Sequence, residues 1–467
     1  MCKKIEKETM KYFENKKDAQ KDIDCMVDSG KTLLVIDDSV YDLTNWIHKH
    51  PGGSGIITQM NGKDASDHFY AFHVPHGSSK RAYHILKNMP VVMKIKPRER
   101  NSLEKDFLQL REKINSDPVW FQTPRKIFLC RLAWLTLLFV ASVVTSMHAS
   151  TPLRAVLGGL LTAFFFQQAA FVGHDAGHSA VFQDKKMDNI MGMIFGPLLT
   201  SIGIFWWRST HNQHHSQTNS VENDCDIQHL PMLAASSRFL KLEGVFSNYH
   251  QRTFRLNAVS KWFIERQHWL FFPLMTVARF NLYLQTFMYH LHKRDPEQLL
   301  EIVCLFLHYV GIYTLKQTMS SSKIFIVWYL TANCCAGVLH LQIILSHYTM
   351  NIYTATEKLA TESFLIQQTS TTLDISSTWY NNFLHGGLNL QTTHHVFPRV
   401  CRDHLHVVKN MLETICRRNK IEYKTVSFYH AVALLLARLR KNAHCARAVK
   451  VPSFQETILY DILFCVG

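Results

Sequence analysis

The chain opens on a stretch, residues 1–31, in which Lys alternates with Glu and Asp and no apolar run forms; it predicts a solvated tail of helical tendency. From Thr32 the pattern changes. Thr32-Leu33-Leu34-Val35-Ile36 predicts a strand, and Asp42-Leu43-Thr44-Asn45-Trp46 a short capped helix. His50-Pro51-Gly52-Gly53 predicts a tight turn, and Gly62 to His73 a helix closing on a histidine. This small α+β unit, 32–95, gives way to a basic linker over 96–126. Beyond it apolar stretches dominate: Ile127 to Met147, Leu153 to Val172, Ile190 to Trp207, Trp269 to Phe287, Leu299 to Leu315 and Ile324 to Leu345. Each is close to the ~20 residues that a helix needs to cross a hydrocarbon core. The expectation is an all-α membrane domain over 127–450 with a cytosolic cap, then a tail over 451–467.

Six apolar stretches are not six spans, and three histidine clusters decide the count. His174-Asp175-Ala176-Gly177-His178 follows the second stretch, His211-Asn212-Gln213-His214-His215 the third, and Gln391-Thr392-Thr393-His394-His395 the last. On a helix, positions three and four apart share a face, so each cluster can aim its imidazoles at one point. Had 190–207 crossed the bilayer, 211–215 would be stranded about 30 Å from the other clusters. Four spans, with 190–207 and 269–287 interfacial or re-entrant, bring all three to one side. Phe205-Trp206-Trp207-Arg208 is the aromatic and basic edge expected of an interfacial segment. Lys and Arg outnumber Asp and Glu from Lys80 to Lys126 and again from Arg399 to Lys450, which places that side in the cytosol.

Composition agrees. The net charge of +15 accompanies 47% hydrophobic residues, and no motif that reads DNA or RNA occurs, so anionic lipid headgroups are the expected counter-charge. The 11 cysteines form no CxxC pair, and several sit in apolar runs, as inert thiols facing a reducing compartment do. The N-terminal stretch lacks the apolar core of a signal peptide.

The clusters supply His174, His178, His211, His214, His215, His394 and His395. That is too many for one octahedral ion with open positions, so two ions are expected; zinc lacks redox chemistry, iron fits, and copper stays open. In the small unit, His50 and a second histidine among aromatic residues can clamp a haem from both faces. His73 is the expected partner, with His68 and His76 nearby. A six-coordinate haem has no place for O2 and moves electrons.

The unit around His50-Pro51-Gly52-Gly53 and His73 resembles cytochrome b5, which implies that these two histidines ligate haem b. The three clusters resemble the histidine boxes of membrane fatty-acyl desaturases. With the fused haem unit and Gln391 opening the third box, the chain resembles the front-end desaturases over residues 32–467. Asp226 to Pro231, Leu373 to Ser376, His385 to Leu388 and Val396-Phe397-Pro398 are further matching pieces. Within that group it looks most like the Δ8 sphingolipid desaturases, on Gln267-His268-Trp269, Asn281 to Thr286 and Leu439 to Ala443, with Δ6 fatty-acyl desaturases as close relatives. It departs from them at Thr392 and Thr393 and at Ser346.

The resemblance implies a di-iron centre on those seven histidines, with His347 as an added ligand and His340 and His385 as further candidates. Gln391 and Asp175 would ligate or orient ligands, and Arg208 or Arg399 would hold a lipid headgroup. NADH-cytochrome b5 reductase, a separate protein, would reduce the haem, and its electrons together with O2 would place a double bond in a long acyl or sphingoid chain. The expected setting is the endoplasmic reticulum membrane, with haem unit and active site facing the cytosol. The alternatives are a Δ6-type fatty-acyl desaturase, a membrane di-iron lipid hydroxylase on the same ligands, and a membrane-anchored electron donor, against which the seven further imidazoles count.

Overall fold

A computed structural model describes residues 11–292 and 296–451. The chain divides at Ser116 into two compact units.

The first unit is built on a four-stranded sheet of order β1-β4-β3-β2, formed by β1 (Lys11–Phe13), β2 (Leu33–Ile36), β3 (Ser39–Asp42) and β4 (Val91–Ile95). β1 runs parallel to β4 and the other neighbours are antiparallel, with Val35 opposite Val40. The described part of the expected tail is therefore structured: it supplies β1 and helix α1 (Lys16–Asp28). Asn15 caps α1 by accepting from the amide of Asp18, and Ala19 and Ile23, four apart, are turned into the core. The charged residues between them masked this narrow stripe. Residues 43–46, expected to be helical, form turns ahead of a single 3-10 turn at Ile47–Lys49. Helices α2 (Ser54–Gln59), α3 (Ser66–Phe72) and α4 (Lys80–Lys87) follow. The expected linker is also partly ordered. Its helix α5 (Ser102–Ser116) buries Phe107, Leu110 and Ile114, and Arg111 pairs with Asp67 at 2.7 Å.

The second unit is helical. Four helical stretches are long and apolar enough to cross a membrane: 118–146, 152–177, 297–318 and 322–348. They contain α6 (Arg125–Ser146), α7 (Pro152–Gly177), α11 (Pro296–Thr318), and the pair α12 (Ser322–Cys335) and α13 (Val338–Tyr348). The two intermediate apolar stretches are not among them. The stretch 190–207 breaks into the end of α8 (Lys185–Met193), a π turn containing Pro197, an irregular link and the start of α9 (Ile204–Ser216). The stretch 269–287 lies inside α10 (Ala258–His292), which buries Ile264, Phe271 and Met275 and exposes Trp269, Phe272, Leu284 and Phe287. That two-sided pattern is what an interfacial helix requires.

A hairpin of β5 (Val245–Ser247) and β6 (Arg252–Phe254) lies between α9 and α10. After the last span come α14 (Phe364–Thr371), α15 (Trp379–Leu384), α16 (Gln391–Val396), α17 (Leu405–Arg418) and α18 (Phe428–Ala448). β7 (Asp374–Ile375) and β8 (Thr425–Val426) form a short parallel pair between them. The largest core joins α10, α13 and α18 with the segment 221–256. The expected C-terminal tail lies outside the described residues apart from Val451.

Candidate metal centre and haem site

In the first unit the His50 and His73 rings stand 6.2 Å apart, centroid to centroid. That leaves room for one ion between two imidazoles, each about 2 Å from it. His50 Nδ1 donates to the carbonyl of Gly53 (2.8 Å) and His73 Nδ1 to that of Phe69 (3.0 Å). With Nδ1 the donor, Nε2 is the lone-pair nitrogen of each ring, the one a metal takes. At Gly52 a Cβ would meet the His50 ring at 2.8 Å, so the turn requires glycine for the ring to sit where it does. His76 is engaged with the carbonyl of Asn115 and His68 is buried in α3.

In the second unit, the seven box histidines and His347 converge from four segments. His174 lies in the last turn of α7 and His178 caps it; His211, His214 and His215 lie on α9; His347 is near the end of α13; His394 and His395 lie on α16. Their donor atoms fall into two groups, each within 4.8 Å: His174, His178, His211 and His394 in one, and His214, His347 and His395 in the other. His215 Nε2 stands 3.0 Å from His211 Nε2, while its ring stacks on His395 at 4.0 Å. Donors about 2.1 Å from one ion are separated by roughly 3.0 Å when adjacent and about 4.2 Å when opposite, so a spread of up to 4.8 Å reaches a few tenths of an ångström outside the span of a single site. Gln391 Nε2 lies 3.2 Å from both His347 Nε2 and His395 Nε2, and its Oε1 is buried without a partner.

The remaining candidates fall elsewhere. His340 lies two turns before His347 on α13, with neither ring nitrogen bonded, and His385 donates to the carbonyl of Asn381. Neither belongs to either group among the described residues. Asp175 Oδ1 is 3.4 Å from His174 Nδ1, and its other oxygen is ion-paired with Arg402, which also binds the carbonyl of Phe171. Arg208 donates to Asn189.

Partners that no sequence spacing announces hold the imidazoles in place. Both oxygens of Asp224 meet His214 Nδ1 at 2.9 Å, and Asp226 lies 3.8 Å from Nδ1 of His211 and of His214. Gln368 accepts from His395 Nδ1 at 3.1 Å, with Thr218 beside it. Asp374 accepts from the amide of Thr392 in the first turn of α16 and from the Tyr423 hydroxyl. Burial opposes charge on His214, but Asp224 and Asp226 prevail and lift its pKa to about 9. Burial first, and neighbouring imidazoles next, hold His178, His215, His394 and His395 well below the usual range, so they stand as neutral donors. Nε2 of His174, His178, His214 and His394 is buried without a hydrogen-bond partner. Such a concentration of unsatisfied lone pairs is costly in a protein interior and fits metal ligation.

A family model described as fatty acid desaturase matches residues 150–427, more than half of the chain. This chain belongs to the fatty acid desaturase family. Residues 16–96 match the cytochrome b5-like heme/steroid binding domain. The desaturase is 30% identical to a Delta(8)-fatty-acid desaturase of Helianthus annuus over 89% of each chain. It is 29% identical to an acyl-lipid (9-3)-desaturase of Borago officinalis over 94% of this chain and 96% of that one. With a Delta 8-(E)-sphingolipid desaturase of Komagataella phaffii it shares 26% identity over 86% of this chain and 89% of that one. It is thus a membrane oxidoreductase with a fused cytochrome b5 unit.

Proposed function

We propose that this desaturase introduces the Δ8 double bond into sphingolipid long-chain bases. It uses O2 and electrons that reach its own haem unit from NADH-cytochrome b5 reductase, in the endoplasmic reticulum membrane with haem unit and metal centre facing the cytosol. The observation that carries the reading is the gathering of box imidazoles into two metal-sized groups in a chain that also holds a paired-histidine haem site. His174, His178, His211 and His394 would hold one iron with His215 joining them, and His214, His347 and His395 the other, with Gln391 facing it. Bound irons supply the O2 chemistry: two hydrogens leave adjacent methylenes, two electrons and two protons are added, and a carbon–carbon double bond and two waters result.

The protein's own part is placement and insulation. Asp224, Gln368 and Asp226 fix which ring nitrogen faces the metals. Arg402 ties the end of α7, through Asp175 and Phe171, to the chain just after the third box. Methylenes of a chain are chemically alike, so selection rests on where the chain is held relative to the irons.

Expression in a yeast that lacks this activity, with mass-spectrometric profiling of long-chain bases and fatty acids, tests the reading. The expected product is a Δ8-unsaturated long-chain base. Unsaturation confined to fatty acids would favour a Δ6-type acyl desaturase; the acyl-lipid (9-3)-desaturase of Borago officinalis is named for an acyl-lipid substrate. Hydroxylated product alone would overturn desaturation in favour of hydroxylation.

A further inference from the structure

Helix α9 carries three of the eight clustered imidazoles but has no cap of its own. Its first residue is preceded by Gly203, which has no side chain to offer, and the first amides of any helix lack intrahelical acceptors. Two residues from distant segments fill the gap. Gly203 N donates to Thr286 Oγ1 of α10 at 2.8 Å. Ile204 N and Phe205 N both donate to Glu301 Oε1 of α11, the second at 3.3 Å. Glu301 is completely buried and Thr286 nearly so. The fit is close: a Cβ at Gly203 would meet Thr286 Cγ2 at 2.8 Å. His290, whose Nδ1 accepts from Gln298, turns Nε2 toward the second oxygen of Glu301 at 3.3 Å.

A fully buried carboxyl at the start of a membrane span is expensive unless something opposes the loss of water. Here two amides and the positive end of a helix do so. We infer that Glu301, assisted by Thr286, is a positioning residue for the metal centre: it anchors the first turn of α9, and through that rigid helix fixes where His211, His214 and His215 stand. From Phe205 to His215 the helix rises about 15 Å, and slippage by one residue would turn the imidazoles by about 100°. The third box uses the same device, since α16 also lacks a side-chain cap of its own and Asp374 receives Thr392 N at 2.9 Å. The geometry asks only for an acceptor oxygen at Oε1, so glutamine can replace glutamate where alanine cannot.

The inference rests on reading the clusters as an iron site, and the test keeps the two apart. Full-length protein and its Glu301→Ala, Glu301→Gln and Thr286→Val variants are purified with haem. Iron per chain, the rate of iron loss to a chelator, and the visible bands of the cobalt(II)-loaded protein are then measured beside turnover. Glu301→Ala is expected to lose iron about tenfold faster or more and to shift the cobalt bands, with the haem spectrum unchanged. Glu301→Gln should stay within about threefold of wild type, and Thr286→Val should fall between them. Wild-type iron retention and cobalt bands in Glu301→Ala, or equal damage in Glu301→Gln, would overturn the cap. Should Glu301→Ala fail to fold, Thr286→Val against Glu301→Gln decides: equal rates of iron loss refute the inference. A wild-type protein that binds no iron would instead defeat the metal reading and this inference with it.

Discussion

Each imidazole has two ring nitrogens, and the partner of one decides what the other can do. In this desaturase Nδ1 of His50 and His73 is committed to a backbone carbonyl, that of His214 to Asp224 and that of His395 to Gln368. The Asp224–His214 pair is the most consequential, because both groups are buried and the carboxylate raises the basicity of the ring. Asp224 also receives the amides of Asn219 and Asp226, so it cannot swing away. Asp224→Ala is therefore expected to weaken iron binding by roughly 10–100-fold, as loss of a ligand's outer partner generally does. Metal titration of the purified variant measures this, with an unaltered haem spectrum as the control. Affinity equal to wild type would mean that Asp224 serves the loop and not the metal.

At the scale of elements, the haem unit is larger than its signature of turn and paired histidines. Helix α5 of that unit buries Phe107, Leu110 and Ile114 and pairs Arg111 with Asp67. Phe107→Ala should lower the stability of the haem unit by roughly 3–5 kcal/mol, the usual cost of emptying a buried phenylalanine site. Unfolding of the full chain followed by haem absorbance reads this, and an unchanged midpoint would show α5 to be a mere appendage.

The same helix shows what was legible beforehand and what was not. Apolar runs, the three boxes and the His50 turn stand out because their signals repeat at short spacing, and the constraint that 211–215 rejoin the other boxes reduced six apolar stretches to four spans. α5 was missed, and α1 was anticipated only as helical tendency in a solvated tail, because their buried stripes are narrow and set among Lys, Glu and Asp. The partners of the clustered imidazoles were missed because nothing periodic marks them. Asp224 reaches back 10 residues to His214, Gln368 forward 27 to His395, and Glu301 back 97 to Ile204. His340 and His347 are indistinguishable by spacing on one helix face; the packing of α13 against α9 and α16 is what brings only His347 to the other imidazoles.

For the whole molecule, the proposed centre implies an orientation that can be measured. As membrane crossings, the four candidate spans would form two excursions, out along 118–146 and back along 152–177, then out along 297–318 and back along 322–348. His174 and His347 both lie at the returning ends, and the segments carrying the second and third boxes leave from those same ends. The opposite ends are closed by short turns, near residues 147–151 and 319–321, with no room for a site. On the proposed topology an even number of crossings would keep the chain ahead of 118, the chain beyond 348 and all box histidines on one side, which the basic stretches around Arg125, Lys126, Arg399 and Arg402 would make the cytosolic one. A glycosylation acceptor on a flexible insert at 148–151 should accordingly be modified in microsomes, whereas one ahead of residue 11 or at the C-terminus should not. An unmodified 148–151 insert together with a modified N-terminal one would invert the molecule, separating its haem unit from cytosolic electron donors and defeating the proposed electron route even with every imidazole in place.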